Sequence, residues 1–261
     1  MTEHQPLAGR VAIVTGGGRG LGRAMTLGLA QAGAAVVTTA ARQQSEVERV
    51  ATEAAPGRVL PVLADVTKED DCARVVATAL DRFGRLDILV NNAGRGMKYV
   101  SESFMTEPTR FWETPAHVWR LVIDTNVVGP FLMARTAVPP MLAAGFGRIV
   151  NISMNAETMR RRGFSPYGPS KAALESETII WAQDLAGTGI TVNALLPGGA
   201  TLTGMIPQSF PDRLRGTLLD PAIMVPPLLW LASRKSDGIT GKRIVAAAWR
   251  ADNPEGAAAG W

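Results

Sequence analysis

The amino-acid sequence predicts an α/β protein: one Rossmann-type, doubly wound parallel β-sheet with helices on both faces, formed as a single domain over residues 1–261. Three observations predict it. Short runs rich in Val, Ile and Leu recur with little period-two alternation, the pattern of strands covered on both faces. Stretches of about 10 to 30 residues with apolar positions at helical spacing separate these runs, as βαβ units require. Five glycines fall within the seven positions from Gly16 to Gly22, between the first apolar run and the first helical one. With 46% apolar residues and no Pro/Gly/Ser-rich linker, the chain has material for one large core and no evident boundary within it.

The strands are expected at residues 10–15, 35–39, 58–64, 86–91, 147–153, 190–196 and 243–247. The first feeds Gly16, Gly18, Gly20 and Leu21. Glycines there allow a tight turn and close backbone approach, and a helix N-terminus then offers N–H groups and a positive dipole end to a pyrophosphate. The second strand runs into Thr38-Thr39-Ala40-Ala41-Arg42, without the carboxylate that would hold both ribose hydroxyls of NAD. Arg19 and Arg42 could instead flank a 2′-phosphate, so NADP(H) is favoured over NAD(H). Thr114-Pro115 marks a helix start. Residues 250–261, rich in Ala and Gly, are expected to form a loose tail unless Trp249 or Trp261 docks it.

Tyr167 and Lys171 stand four apart at the start of a helical stretch and so share a face. A phenol titrates near pKa ~10, too high for a base at neutral pH, and a nearby ammonium lowers it. The pair is a candidate general acid/base for reducing a carbonyl or oxidising an alcohol.

In that company the chain resembles the short-chain dehydrogenase/reductase family. The carrying motifs are Thr15–Gly22, Asp65-Val66, Asn91-Asn92-Ala93-Gly94, Asn126, Tyr167 with Lys171, and Pro197-Gly198, from about Leu7 to Val245. The resemblance implies adenine contacts from Asp65 and Val66. It implies that Asn92, Ala93 and Gly94 line the cofactor, and that Asn126 supports a proton-relay water. Lys171 would also hold the nicotinamide ribose, Pro197 and Gly198 would lie beside nicotinamide, and Thr201 or Thr203 would contact the carboxamide or phosphates. It further implies a homo-oligomer, commonly a tetramer, acting on a small-molecule carbonyl or alcohol substrate.

One position departs from the family. Where members carry a serine thirteen residues before the tyrosine, this chain has Met154. A thioether cannot donate to an oxyanion. The adjacent Ser153 is nominated for that role if the strand ends or bulges there, with Asn155 as another donor; otherwise the chain lacks the group. A rival reading follows, a dinucleotide-binding sensor or scaffold with weakened catalysis, against which the intact Asn126, Tyr167 and Lys171 argue.

Two long connections leave the ligand-binding edge. Residues 95–114 carry Met97, Tyr99, Phe104, Met105, Phe111 and Trp112, and residues 199–222 carry Met205, Ile206 and Phe210. They fit either a lid over a bulky or lipophilic substrate or a subunit contact. Arg160-Arg161-Arg162 reads as a solvated face in preference to an anion site.

A formal charge of +4 from scattered Lys and Arg does not make the basic, aromatic-interleaved stripe of a nucleic-acid binder. The lone cysteine, Cys72, fits a reducing compartment. No apolar signal core lies between Met1 and Arg10, and no run approaches membrane-spanning length, so a soluble cytoplasmic protein without membrane partners is expected. The two histidines, His4 and His117, give no basis for a zinc site or a histidine triad.

Overall fold

The computed structural model describes residues 5–261; His4 lies outside the described residues. Eight strands and nine α-helices follow one another through these residues. They run β1 (Val11–Val14), α1 (Gly20–Gln31), β2 (Ala35–Ala40), α2 (Gln44–Glu53), β3 (Val59–Leu63), α3 (Glu69–Phe83), β4 (Ile88–Asn91), α4 (Ala116–Ile123), α5 (Gly129–Ala144), β5 (Gly147–Ile152), α6 (Ala156–Met159), α7 (Tyr167–Asp184), β6 (Ile190–Leu196), α8 (Asp212–Arg215), α9 (Val225–Ala232), β7 (Arg243–Val245) and β8 (Ala258–Ala259).

The sheet order is β3-β2-β1-β4-β5-β6-β7-β8, parallel except for β8. β1, β4, β5 and β6 are buried at every residue, which is why their sequences do not alternate. One apolar cluster fills the face under α1 and α9, through residues such as Met25, Leu29 and Leu228. Another fills the face under α3 and α5, through Val75, Met133 and Met141. The chain runs outward from β1 to β3 and then from β4 to β7. The order therefore reverses between β1 and β4, and a crevice opens beyond the carboxyl ends of those strands.

Local signals set the helix ends. α3 begins with Glu69, Asp70 and Asp71 at its positive dipole end, carries Arg82 in its last turn and stops at Gly84 in the left-handed region (φ 75°). α5 stops in the same way at Gly145 (φ 60°).

Two expectations need correction. The tail is not loose: β8 pairs antiparallel with Arg243 and Ile244 of β7, and the Trp261 indole N–H donates to the Gly241 carbonyl at 3.1 Å. An apolar run of membrane-spanning length also exists. α4, a π-helical turn (Asp124–Val128) and α5 join into one helical run, Ala116–Ala144, of 29 residues, with an 18-residue stretch of mean hydropathy 1.3. By length and composition it is long and apolar enough to cross a membrane. Here it lies against the sheet, burying Met133, Ala137 and Met141 in the core and leaving Val128, Phe131 and Leu142 exposed.

Candidate active site

A cleft of about 770 Å3 opens over the switch point and runs from β2 to the loops after β4, β5 and β6. At its floor the glycine loop is latched to β4. The Thr15 hydroxyl accepts from the backbone N–H groups of Asn92 and Ala93, both at 3.0 Å. The Asn92 amide donates back to the carbonyls of Thr15 and Gly16 at 2.8 and 3.0 Å. Gly16 is required twice: its φ is 64°, and a Cβ there would stand 2.9 Å from the Ala93 Cα. No side chain caps the first N–H groups of α1, which leaves them for a ligand in the cleft. The glycine cradle with this uncapped helix end is the donor set a pyrophosphate needs, so these residues fit a dinucleotide.

The residues expected to hold that ligand do line one cleft: Gly16, Gly18, Arg19, Gly20, Leu21, Arg42, Asp65, Val66, Asn92, Ala93, Gly94, Pro197 and Thr201. Gly198 turns the chain behind Pro197 with φ 96°, and its carbonyl accepts from the Asn155 amide at 3.0 Å. Thr203 lies against the glycine loop, where a Cβ on Gly20 would meet its methyl group at 3.1 Å; Thr201 sits deeper, its hydroxyl on the Gly199 carbonyl. Part of the Asp65 carboxylate is taken by Thr67, whose N–H and hydroxyl donate to it at 3.0 and 2.8 Å.

At the β2 corner the structure adds a residue that reading along the strand missed. Glu46, from the first turn of α2, lines the cleft and lies 3.7 Å from the Arg19 guanidinium. The chain has no acid at the strand end, yet the fold supplies one from the next helix.

Tyr167 and Lys171 open α7 and face the cleft. Lys171 donates to the Ile152 carbonyl at 2.7 Å, and its ammonium lies 6.0 Å from the centre of the Tyr167 ring. Burial drives both groups toward their neutral forms: the phenol is pushed up to about 12 and the ammonium down to about 8, the latter partly offset by the Glu175 carboxylate one turn on. The phenol's shift is thus opposite to the lowering expected from its lysine: burial raises it, and the ammonium is turned toward the Ile152 carbonyl. The tyrosine is an acid first.

Asn126 is fully buried in the π-helical turn. Its oxygen accepts from the Arg95 N–H at 2.8 Å, and its amide donates to the Arg95 carbonyl at 3.0 Å and to the Ser170 hydroxyl at 2.9 Å. Its side chain clamps the chain after Gly94 to α7, with both amide protons committed and one lone pair of its oxygen left over.

The nomination of Ser153 for the reacting oxygen is corrected. Its single hydroxyl proton goes to Glu175 at 2.6 Å, and Glu175 pairs with Arg243 at 2.8 Å. Arg243 donates to the Met154 carbonyl at 2.7 Å and so fixes the backbone beside it. Met154 packs with Met97, Met159 and Phe164, against which the Tyr167 ring also lies. The wall beside the tyrosine is apolar.

The lid residues divide. Tyr99, Phe104, Met105, Met205 and Ile206 line the cleft, and the Ser209 hydroxyl ties one loop to the other at the Glu102 carbonyl. Phe111 and Trp112 pack edge-on at 5.2 Å and are 68% exposed; they border a neighbouring pocket, while Phe210 is buried elsewhere. Arg161 lines both the cleft and that pocket.

Fold and cleft together define a Rossmann-type dinucleotide-binding domain. The family model for short chain dehydrogenase matches residues 10–214. The 3-oxoacyl-[acyl-carrier-protein] reductase FabG of Thermotoga maritima is 32% identical over 248 residues, covering 91% of this chain and 96% of that protein. Dehydrogenase/reductase SDR family member 4 of Homo sapiens is 40% identical over 199 residues, covering 76% of this chain and 68% of that one. The 3-ketoacyl-(acyl-carrier-protein) reductase from Brucella melitensis, crystallised with NADH, superposes with a TM-score of 0.80 at 32% identity, covering 91% and 96% of the two chains. The chain belongs to the short-chain dehydrogenase/reductase family. As a member it is an NAD(P)-dependent oxidoreductase acting on C=O or CH–OH groups.

Proposed function

We propose that this protein is an NADP(H)-dependent ketone or carbonyl reductase, able to run in reverse as an alcohol dehydrogenase, and that Tyr167 is its proton donor. The convergence of Tyr167, Lys171 and the glycine loop on one cleft carries the reading. Gly16, Gly18, Gly20 and the N-terminus of α1 would hold the pyrophosphate, and Arg19 and Arg42 the 2′-phosphate. Bound nicotinamide supplies the hydride.

The protein's own groups manage the proton. Burial keeps the Tyr167 phenol protonated, so it can hydrogen-bond the substrate oxygen and release its proton as negative charge develops there. The Lys171 ammonium offsets the phenolate left behind. Asn126 and Ser170 hold the loop after Gly94 and the start of α7 in fixed relation. Met154 offers the oxygen no donor, so Tyr167 stabilises it with one hydrogen bond fewer than the family pattern supplies. The apolar wall of Phe104, Met154 and Phe164, backed by Met97, supports a bulky or lipophilic carbon skeleton.

A soluble cytoplasmic homo-oligomer fits the exposed Val128 in the π-helical turn, Phe131 on α5, Trp119 on α4 and Ile180 on α7. The single thiol, Cys72, is buried and pushed up to about 12, which leaves it unreactive. Incubation with NADPH or NADH and a panel of ketones, followed by loss of the reduced-nicotinamide absorbance, tests the activity. Turnover with NADPH is expected; no turnover with any carbonyl compound would leave only a dinucleotide binder.

A further inference from the structure

Arg95 follows the Asn92-Ala93-Gly94 turn, and its backbone is held on both sides by Asn126. Its side chain is 7% exposed and lines the same cleft as Tyr167. Its Nε donates to the Thr125 hydroxyl at 3.1 Å, and the Tyr99 ring lies 4.7 Å from its guanidinium carbon. Its two terminal nitrogens have no acceptor among the described residues, and no described carboxylate pairs with it.

The fold treats its other deeply buried arginines differently: Arg148 is paired with Asp237, and Arg243 with Glu175. A desolvated cation costs stability unless an anion completes it, and a cation–π contact offsets only part of that cost. Surrounding charge has the same sign. Lys171 stands on α7, and Arg161, from the connection between α6 and α7, lines the cleft with no carboxylate partner among the described residues. Lys98 and Glu102 on the lid pair with each other at 3.6 Å. The position is the catalytic end of the cleft, since a Cβ on the preceding Gly94 would lie 3.9 Å from the Lys171 ammonium. The pyrophosphate cradle lies at the glycine loop instead.

We propose that Arg95, assisted by Arg161, binds an anionic group on the substrate, and that the preferred substrates are oxo or hydroxy compounds carrying a carboxylate or a phosphate. The planar fork of a guanidinium suits both anions. The proposal rests on the reductase reading and names the substrate class for that same site.

Its test uses the whole protein saturated with NADPH and matched substrate pairs: levulinate against methyl levulinate, and dihydroxyacetone phosphate against dihydroxyacetone. At least one anionic member is expected to exceed its neutral partner by about 10-fold or more in kcat/KM, and which pair responds identifies the anion. Arg95→Gln should bring that ratio to within about threefold of unity, and Arg161→Gln should lower it partway. Melting of the NADPH complex with hexanoate or hexanamide gives a second readout, with Arg95→Lys as a variant that keeps the charge. Hexanoate should raise the Tm of the wild type, less so that of Arg95→Lys, and hexanamide should not. Neutral ketones reduced as well as anionic ones, or a preference that survives Arg95→Gln, would overturn the proposal and leave the reductase reading standing. No turnover of any substrate would remove the reductase reading, and the melting data would then decide the anion site: no hexanoate effect overturns it.

Discussion

The Ser153 hydroxyl donates to the Glu175 carboxylate at 2.6 Å, which removes the serine from the reacting oxygen and leaves Met154 beside Tyr167. Ser153→Ala should therefore lower stability by about 1.5–3 kcal/mol, the worth of a hydrogen bond to a charged group, and leave kcat within about threefold of the wild type. Met154→Ser should raise turnover on small, unhindered ketones, because it restores a donor whose loss costs roughly 10²–10³ in rate elsewhere. Steady-state kinetics on one small ketone separates the two. A loss of that size in Ser153→Ala, with no gain in Met154→Ser, would return the role to Ser153.

Cofactor choice turns on Arg19, Arg42 and Glu46. Arg42→Ala should raise KM for NADPH and leave NADH nearly unchanged. Glu46→Gln should lower KM for NADPH, because it frees Arg19 from a carboxylate that also repels a 2′-phosphate. Both side chains are largely exposed in Arg19's case and partly so in Glu46's, so the gain should be a few-fold and should shrink at high salt. Better use of NADH than of NADPH by the wild type would contradict the assignment.

The pH profile follows from the half-buried Tyr167 and the buried Lys171. With the Tyr167 phenol up at about 12 and the Lys171 ammonium down at about 8, both are protonated at neutral pH. Reduction should be level below pH 8 and fall above it as Lys171 loses its charge. Glu175 favours that charge, so Glu175→Gln should move the fall to lower pH. The variant also breaks a buried ion pair with Arg243 and should lower the Tm. A profile unmoved in Glu175→Gln would separate Lys171 from the observed limb. In stability the sign is opposite to that of a lysine gaining a partner. The unfolded chain holds this proton up to about 10.5, so the Lys171 contribution rises between pH 8 and that value.

Much of the fold and part of the site could be read along the chain. The glycine loop, the Tyr167–Lys171 pair and the Asn92–Gly94 turn are contiguous patterns, and each strand predicted is present within one or two residues. What stayed hidden depends on partners distant in sequence. Glu46 reaches the cofactor corner only because α2 folds back over Gly18, and the commitment of Ser153 depends on Glu175, 22 residues on in α7. β8 is two alanines with no strand signal, held by its pairing with β7 and by Trp261. Arg95 carries no signal in the sequence, because only burial without a carboxylate partner distinguishes it.

The central claim is that the Tyr167 hydroxyl delivers the proton. Tyr167→Phe keeps the ring against Met154 and Phe164 and removes only the acid. Turnover with a ketone and NADPH, measured alongside NADPH binding by fluorescence, tests it most directly. The account predicts kcat reduced by about 10²–10⁴-fold with the Kd for NADPH within a few-fold of the wild type. Wild-type turnover in Tyr167→Phe would contradict it.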